Sequence, residues 1–258
     1  MTRAPKTILI TGASSGLGAA VAEAYAAAGI RLYLSGRNAD RLAAVAERVR
    51  DLGAACETAV LDVCDAAAVK AWVEACDDAA PLDLVVANAG ISAGTAGRDG
   101  AEPAEQVRAV FATNVDGVLN TILPAIGRME ARGHGQVALV ASLAGYRGIP
   151  GAPSYCASKA AVKVLGEGLR GSLHGKGIRV SVICPGYVRT PMTAVNDFPM
   201  PFMMEADQAA RIIRRGLARD RGRIAFPWPM AAAVWLLQTL PPAWIDPLLR
   251  RLPRKGGE

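Results

Sequence analysis

Tyr155 and Lys159 stand four residues apart in the segment Ser154-Tyr-Cys-Ala-Ser-Lys159. In a helix that spacing puts both side chains on one face, within reach of each other. The pair can move a proton: a phenol donates, its oxyanion accepts, and a nearby ammonium favours the ionised form. An ordinary phenol, with a pKa of about 10, is too weak an acid near neutral pH without such help. A second segment, Thr11-Gly-Ala-Ser-Ser-Gly-Leu-Gly18, suits a different task. Gly12, Gly16 and Gly18 allow a sharp turn and let a pyrophosphate approach a helix N terminus. Each pattern alone is common, as a surface tyrosine beside a lysine or as a tight structural turn. Their meaning depends on the elements that carry them.

The glycine segment follows the apolar run Ile8-Leu-Ile10 and precedes a helix-forming stretch from Ala19 to Ala28, which Gly29 is placed to cap. The same strand-then-helix unit recurs along the chain. Arg31 to Leu34 leads to Ala39 to Leu52, Glu57 to Leu61 to Ala66 to Cys76, and Leu82 to Ala87 to a helix from about Ala104. Gln136 to Ala141, Ser154 to His174 and Arg179 to Ile183 continue it. Short apolar strands alternating with helices specify an α/β fold, a doubly wound parallel sheet covered on both faces. Ligands then belong at the carboxyl ends of the strands.

The placement of the glycines between first strand and first helix, and their T-G-x-x-x-G-x-G spacing, resemble the short-chain dehydrogenase/reductase family. Ser142 at the end of an apolar strand, 13 residues before Tyr155, and Asn114 in Thr113-Asn-Val-Asp-Gly117 match that family's Asn, Ser, Tyr, Lys tetrad. The resemblance covers about Lys6 to Pro191. It implies a Rossmann-type single domain over 1–258, with a cofactor-binding and catalytic core over about 1–191. Residues 192–258 would form a substrate lid or interface. It implies an oxidoreductase that reduces a carbonyl reversibly, with Tyr155 as acid or base. Ser142 would hold the substrate oxygen, Lys159 the nicotinamide ribose, and Asn114 a water that relays protons. Around the cofactor it implies Ser14, Ser15 and Leu17 with the loop glycines, then Asp62 and Val63 at the adenine. Asn88, Ala89 and Gly90 would flank the cofactor, and Pro185, Gly186, Val188 and Thr190 would stand near the nicotinamide or the phosphates.

The second strand ends in Ser35-Gly-Arg37, where an NAD enzyme needs a carboxylate for the ribose 2′-hydroxyl. A guanidinium there can bind a 2′-phosphate, so NADP(H) is the expected cofactor over NAD(H). Ser15 occupies the loop position where some NADP-preferring relatives carry a basic residue. A second reading of the same fold is a dinucleotide-sensing binding module without turnover. A sensor has no use for the proton chemistry of Tyr155 and Lys159.

With 52% apolar and 20% charged residues over 258 positions, disorder and repeat architectures are excluded. The five cysteines form no C-x-x-C pair and the chain has two histidines, which points away from a disulfide framework and from a metal site. Met1 to Lys6 leads straight into the first strand, so no cleavable signal and a cytoplasmic location are expected. The net charge of +6 is uneven: residues 201–258 hold 10 Lys+Arg against 5 Asp+Glu. After residue 190 stand Met192, Met200, Met203, Met204 and Met230, and Trp228, Trp235 and Trp244, which suggests an apolar pocket. Ile224 to Ile245 lacks charge over 22 positions but is broken by prolines, so a spanning helix is not expected. Its basic flanks, Arg211, Arg214, Arg215 and Arg219 before it and Arg250, Arg251, Arg254 and Lys255 after it, admit peripheral membrane contact through 211–255. No nucleic-acid partner is expected, since no recognition motif accompanies these arginines. The family resemblance implies a homodimer or homotetramer.

Overall fold

A computed structural model describes residues 4–95 and 101–249. Seven strands form one parallel sheet: β1 (Thr7–Ile10), β2 (Arg31–Gly36), β3 (Ala55–Val60), β4 (Leu84–Ala87), β5 (Gly135–Val140), β6 (Ile178–Pro185) and β7 (Arg223–Phe226). Their spatial order is β3-β2-β1-β4-β5-β6-β7. The chain runs outward from β1 through β3, then returns to place β4 on the other side of β1. That reversal opens a crevice at the carboxyl ends of β1 and β4.

The helices are α1 (Gly16–Tyr25), α2 (Ala39–Asp51), α3 (Ala66–Ala79), α4 (Ala104–Phe111), α5 (Gly117–Arg132), α6 (Pro153–Leu173), α7 (Pro191–Ala194), α8 (Ala206–Ala218), α9 (Trp228–Thr239) and α10 (Pro242–Leu249). Alternate strand residues face opposite layers. Ile8, Ile10, Leu32, Leu34, Leu84 and Val86 pack with α1, α2 and α8 in one buried cluster. Leu9, Tyr33, Val85, Ala87, Val137 and Leu139 pack with α3, α5 and α6 in the other. The buried strands carry apolar residues on both faces for this reason, which is why they read as continuous runs.

Two sequence expectations need correction. The first helix starts at Gly16, directly in the glycine loop, and ends at Tyr25, with Ala26 in an extended conformation as its C-cap. Gly29 is therefore not the cap; it sits at φ +79° in the turn before β2. The seventh strand lies in a segment that the uncharged run beginning at Ile224 had obscured. It pairs with β6 from Val182↔Arg223 to Pro185↔Phe226.

Helix α3 is capped by Asp65, whose Oδ1 accepts from the backbone N–H of Ala68 at 3.0 Å. Replacing Asp65 by Ala should cost about 1 kcal/mol, lowering the melting temperature by about 2–4 °C. An unchanged melting curve would show that water caps this helix equally well.

Candidate active site

The turn after β1 depends on Gly12, which adopts φ +65° and whose missing side chain lets Ala89 approach: a Cβ there would lie 2.7 Å from Ala89 Cα. Asn88, just past β4, stitches the two turns together. Its Nδ2 donates to Thr11 O at 3.0 Å and Gly12 O at 3.1 Å. Thr11 Oγ1 in return accepts from the N–H groups of Asn88 and Ala89. The floor of the crevice is thus fixed by side chain to backbone bonds between residues 76 to 78 positions apart.

Helix α1 points its N terminus into this crevice. Ser15 at the N-cap makes no side-chain capping bond, and the first turn has no acidic residue. Among the described residues no protein acceptor takes the N–H groups of Leu17 and Gly18. Unsatisfied donors at the positive end of a helix dipole form a binding place for an anion such as a pyrophosphate. Ser35 Oγ, buried at the end of β2, also lacks a protein partner. The residues present therefore fit a nicotinamide dinucleotide.

One cavity of about 450 Å³ gathers most of the residues singled out in the sequence. Gly12, Ser14, Ser15, Gly16, Leu17, Arg37, Asp62, Val63, Asn88, Ala89, Gly90, Ser142, Tyr155, Lys159, Pro185, Gly186, Val188 and Thr190 all line it. Gly18 and Asn114 do not. Gly18 packs against the loop, where a Cβ would lie 2.4 Å from Gly12 O, so its place is that of a packing glycine. Of the carboxy-terminal methionines, Met192 lines the cavity. Trp228, Trp235 and Trp244 are exposed instead, which corrects the expectation that the tryptophans build a pocket.

At the end of β2, Arg37 Nη1 lies 3.9 Å from Asp62 Oδ2, and both side chains stay largely exposed. Asp62 is held below the ordinary carboxylate range by the backbone N–H of Cys64, with Arg37 adding to the effect. Arg41, in the first turn of α2, lines the same end of the cavity. It is not among the residues singled out from the sequence, since nothing local distinguishes it from other helix arginines. Asn38 caps that helix by accepting from Arg41 N at 2.8 Å, which fixes the start of α2 beside Arg37.

At the other end, α6 presents Tyr155 and Lys159 on one face, with Lys159 Nζ 5.9 Å from the centre of the Tyr155 ring. Lys159 is buried and donates to Val140 O at 2.9 Å. A Cβ on Gly145 would lie 2.7 Å from the Lys159 carbonyl carbon, so that glycine lets the turn after β5 press on α6. Ser142 opens this turn, accepting from Ala144 N at 3.1 Å and facing Tyr155. Burial pushes the Tyr155 phenol up to about 12, although the hydrogen bond with Ser142 pulls it down. Burial likewise lowers Lys159 to about 8. Within the protein alone the phenol therefore stands above its ordinary value; the expected pull toward neutral pH is that of Lys159 together with the cationic nicotinamide of the oxidised cofactor. Desolvation of the phenolate outweighs an ammonium that spends its hydrogen bond on Val140.

Asn114 lies on a π-helical turn, Ala112–Asp116, that joins α4 to α5. Such turns are uncommon and cluster at functional sites. The side chain is 0% exposed. Its Oδ1 accepts from Ile91 N at 2.8 Å, and its Nδ2 donates to Ile91 O at 2.9 Å and Ser158 Oγ at 3.0 Å. With both donor hydrogens used, the amide holds the cavity wall to α6, and a second lone pair on its Oδ1 stays open to a further donor. Gly90 lets the groups converge, since a Cβ there would lie 3.0 Å from Asn114 Oδ1 and 3.3 Å from Lys159 Nζ.

Two contributors were not visible beforehand. Ser158 links Asn114 to α6 and donates to Tyr155 O at 2.8 Å. Glu102 is buried, and its Oε2 accepts from Ser154 N at 2.8 Å, capping the helix one residue before Tyr155. Ala152 at the N-cap position has no side chain to do this.

Comparison with known proteins agrees with this geometry. The short chain dehydrogenase profile matches residues 6–198. An uncharacterised oxidoreductase of Myxococcus xanthus is 40% identical over 248 residues, covering 96% of this chain and 97% of that protein. A second from Mycobacterium tuberculosis is 39% identical over 242 residues, covering 91% and 94%. Among solved structures, a short-chain dehydrogenase from Sphingobium yanoikuyae in complex with NADPH superposes with a TM-score of 0.80 at 29% identity, covering 96% of both chains. One from Burkholderia phymatum in complex with NAD gives 0.82 at 26% identity, covering 99% of this chain and 97% of that one. On sequence, fold and the arrangement of the crevice, this chain belongs to the short-chain dehydrogenases, oxidoreductases that work with a nicotinamide dinucleotide.

Proposed function

We propose that the protein is an NADPH-dependent carbonyl reductase, reversible as an alcohol dehydrogenase, acting on an apolar ketone or aldehyde. The observation that carries this reading is one cavity with Arg37 and Arg41 at one end and the Ser142–Tyr155 pair at the other. Arg37 and Arg41 would hold the 2′-phosphate, the N terminus of α1 the pyrophosphate, and Lys159 the ribose next to the nicotinamide. The reduced cofactor, when bound, supplies the hydride that the carbonyl carbon receives.

The rest belongs to the chain's own side chains. Ser142 Oγ donates to the carbonyl oxygen and fixes its position beside the phenol. Tyr155 gives its proton to the oxygen as negative charge develops there; burial keeps the phenol protonated until then but makes it a weaker acid, so the hydrogen bond from Ser142 and the charge of Lys159 must favour the transfer. In the oxidation direction the same oxygen takes the proton back, and the high phenol pKa makes that direction the harder one. Lys159, with a pKa of about 8, is largely protonated at neutral pH and supplies the nearest positive charge. Asn114 and Ser158 fix α6 against the wall that Ile91 forms, and Asn114 would also place the water that relays protons to Lys159.

The test is consumption of NADPH, in parallel with NADH, against a panel of short ketones, aldehydes, steroids, long-chain 3-keto lipids and keto sugars. Turnover of an apolar carbonyl with NADPH is expected. Tight NADPH binding with no turnover across the panel would favour the sensing module instead.

A further inference from the structure

We propose that α9 and α10 dock on the surface of an anionic phospholipid bilayer. Helix α9, Trp-Pro-Met-Ala-Ala-Ala-Val-Trp-Leu-Leu-Gln-Thr, has no charged residue and not one fully buried residue. A helix apolar all round normally lies inside a protein or against lipid. Here Trp228 is 78% exposed, Trp244 on α10 is 73%, and Trp235 and Leu236 are more than half exposed. Tryptophan is the side chain that settles at the boundary between lipid and water.

Length decides how the helix would sit. Pro227 and Pro229 begin α9 and Pro241 and Pro242 follow it, which confines it to 12 residues, about 18 Å at the α-helical rise. That is too short to cross a hydrocarbon core of about 30 Å, so the helix lies along the surface. The 29-residue stretch Ala104–Arg132 has the length and composition to cross a membrane. Half of its apolar window is buried in the protein, where Val118, Ile122 and Met129 belong to the core, so it offers no competing contact.

Charge decides the occupant. Arg147 donates to Leu237 O and Leu240 O, which sets a cation at the carboxyl end of α9. Arg250, Arg251, Arg254 and Lys255 follow α10 in the sequence, outside the described residues, and the nearest acidic position before them is Asp246. An anionic lipid surface attracts such a cluster. A second copy of the chain, related by a twofold axis through α9 and α10, would bring like clusters together.

The test uses the full-length protein sedimented with vesicles of phosphatidylcholine alone and of phosphatidylcholine mixed with phosphatidylglycerol. Recovery with the mixed vesicles only, reversed by high salt, is the expected result. Two variants follow, one carrying W228S, W235S and W244S, the other R250E, R251E, R254E and K255E. Each should weaken partition by about tenfold or more while leaving the melting temperature unchanged. Equal recovery with both vesicle types, no recovery, or variants that sediment like the parent would overturn the proposal. So would a concentration-dependent dimer in the absence of lipid that the tryptophan variant abolishes.

Discussion

Replacing Tyr155 by Phe should lower kcat for carbonyl reduction on the order of 1000-fold, the scale set by loss of a positioned general acid. The ring keeps its packing on α6, and the lost hydroxyl faces Ser142, so the fold should lose about 1 kcal/mol at most. Affinity for NADPH, read from the quenching or enhancement of nicotinamide fluorescence, should stay within about twofold, because the phosphate-facing end of the cavity is untouched. That split between binding and turnover separates the acid from a merely structural tyrosine. Retained turnover in the variant would sink the mechanism. The pH dependence of the parent protein supplies a second check. Burial holds the phenol up at about 12, so its ionised form grows only as pH rises toward that value. Oxidation of an alcohol, which needs the ionised form, should therefore accelerate from neutral into alkaline pH. Reduction, which needs the protonated form, should hold steady and then fall. Parallel profiles in the two directions would assign the proton to another group.

Replacing Arg37 by Asp should weaken NADPH on the order of 100-fold and change NADH by less than about threefold. A guanidinium matches a phosphate through paired charge-assisted hydrogen bonds, whereas a carboxylate repels it and suits a free ribose hydroxyl. Asp62 stands 3.9 Å from Arg37 in the parent and would face a second carboxylate in the variant. That juxtaposition deepens the penalty for a phosphate in the same place. Arg41 remains at the rim of the cavity and limits the loss, so the double replacement with Arg41→Ala should go further. Titration of both cofactors against each variant gives the answer. Equal losses for NADPH and NADH would refute the assignment of the 2′-phosphate to this corner.

How much of this was legible in the sequence follows from how local each cause is. The strands of the sheet could be read because Ile8 to Ile10 or Leu84 to Ala87 are short apolar runs between turn residues, and the run is itself the cause. The glycine loop could be read because φ +65° at Gly12 is a demand that only its own residue type answers cheaply. Tyr155, Lys159 and Ser142 were legible because helical spacing and the end of β5 fix them. The Glu102–Ser154 cap was not, since its partners are 52 residues apart. The Asn114–Ser158 bond joins residues 44 apart and was equally invisible. In the region after Pro191 the same reasoning explains the misreadings. Strand β7 alternates buried Ile224 and Phe226 with Arg223 and Ala225, but over four residues that merge into a longer uncharged run, and the exposed tryptophans were assigned to a pocket because composition does not tell inward from outward.

The bond from Ser154 N to Glu102 has a bearing on any attempt to redirect this enzyme toward other substrates. Residues 88–92, just after β4, line the crevice, and the connection from there to α4 is an obvious place for loop exchange. It also carries the carboxylate that anchors the start of α6, one peptide unit from the Tyr155 side chain. A graft that replaced Glu102 would free the first turn of that helix and blur the aim of the phenol, whatever shape the new loop offered to the substrate. Loop libraries for this scaffold should therefore stop short of Glu102, or supply a carboxylate of equal reach.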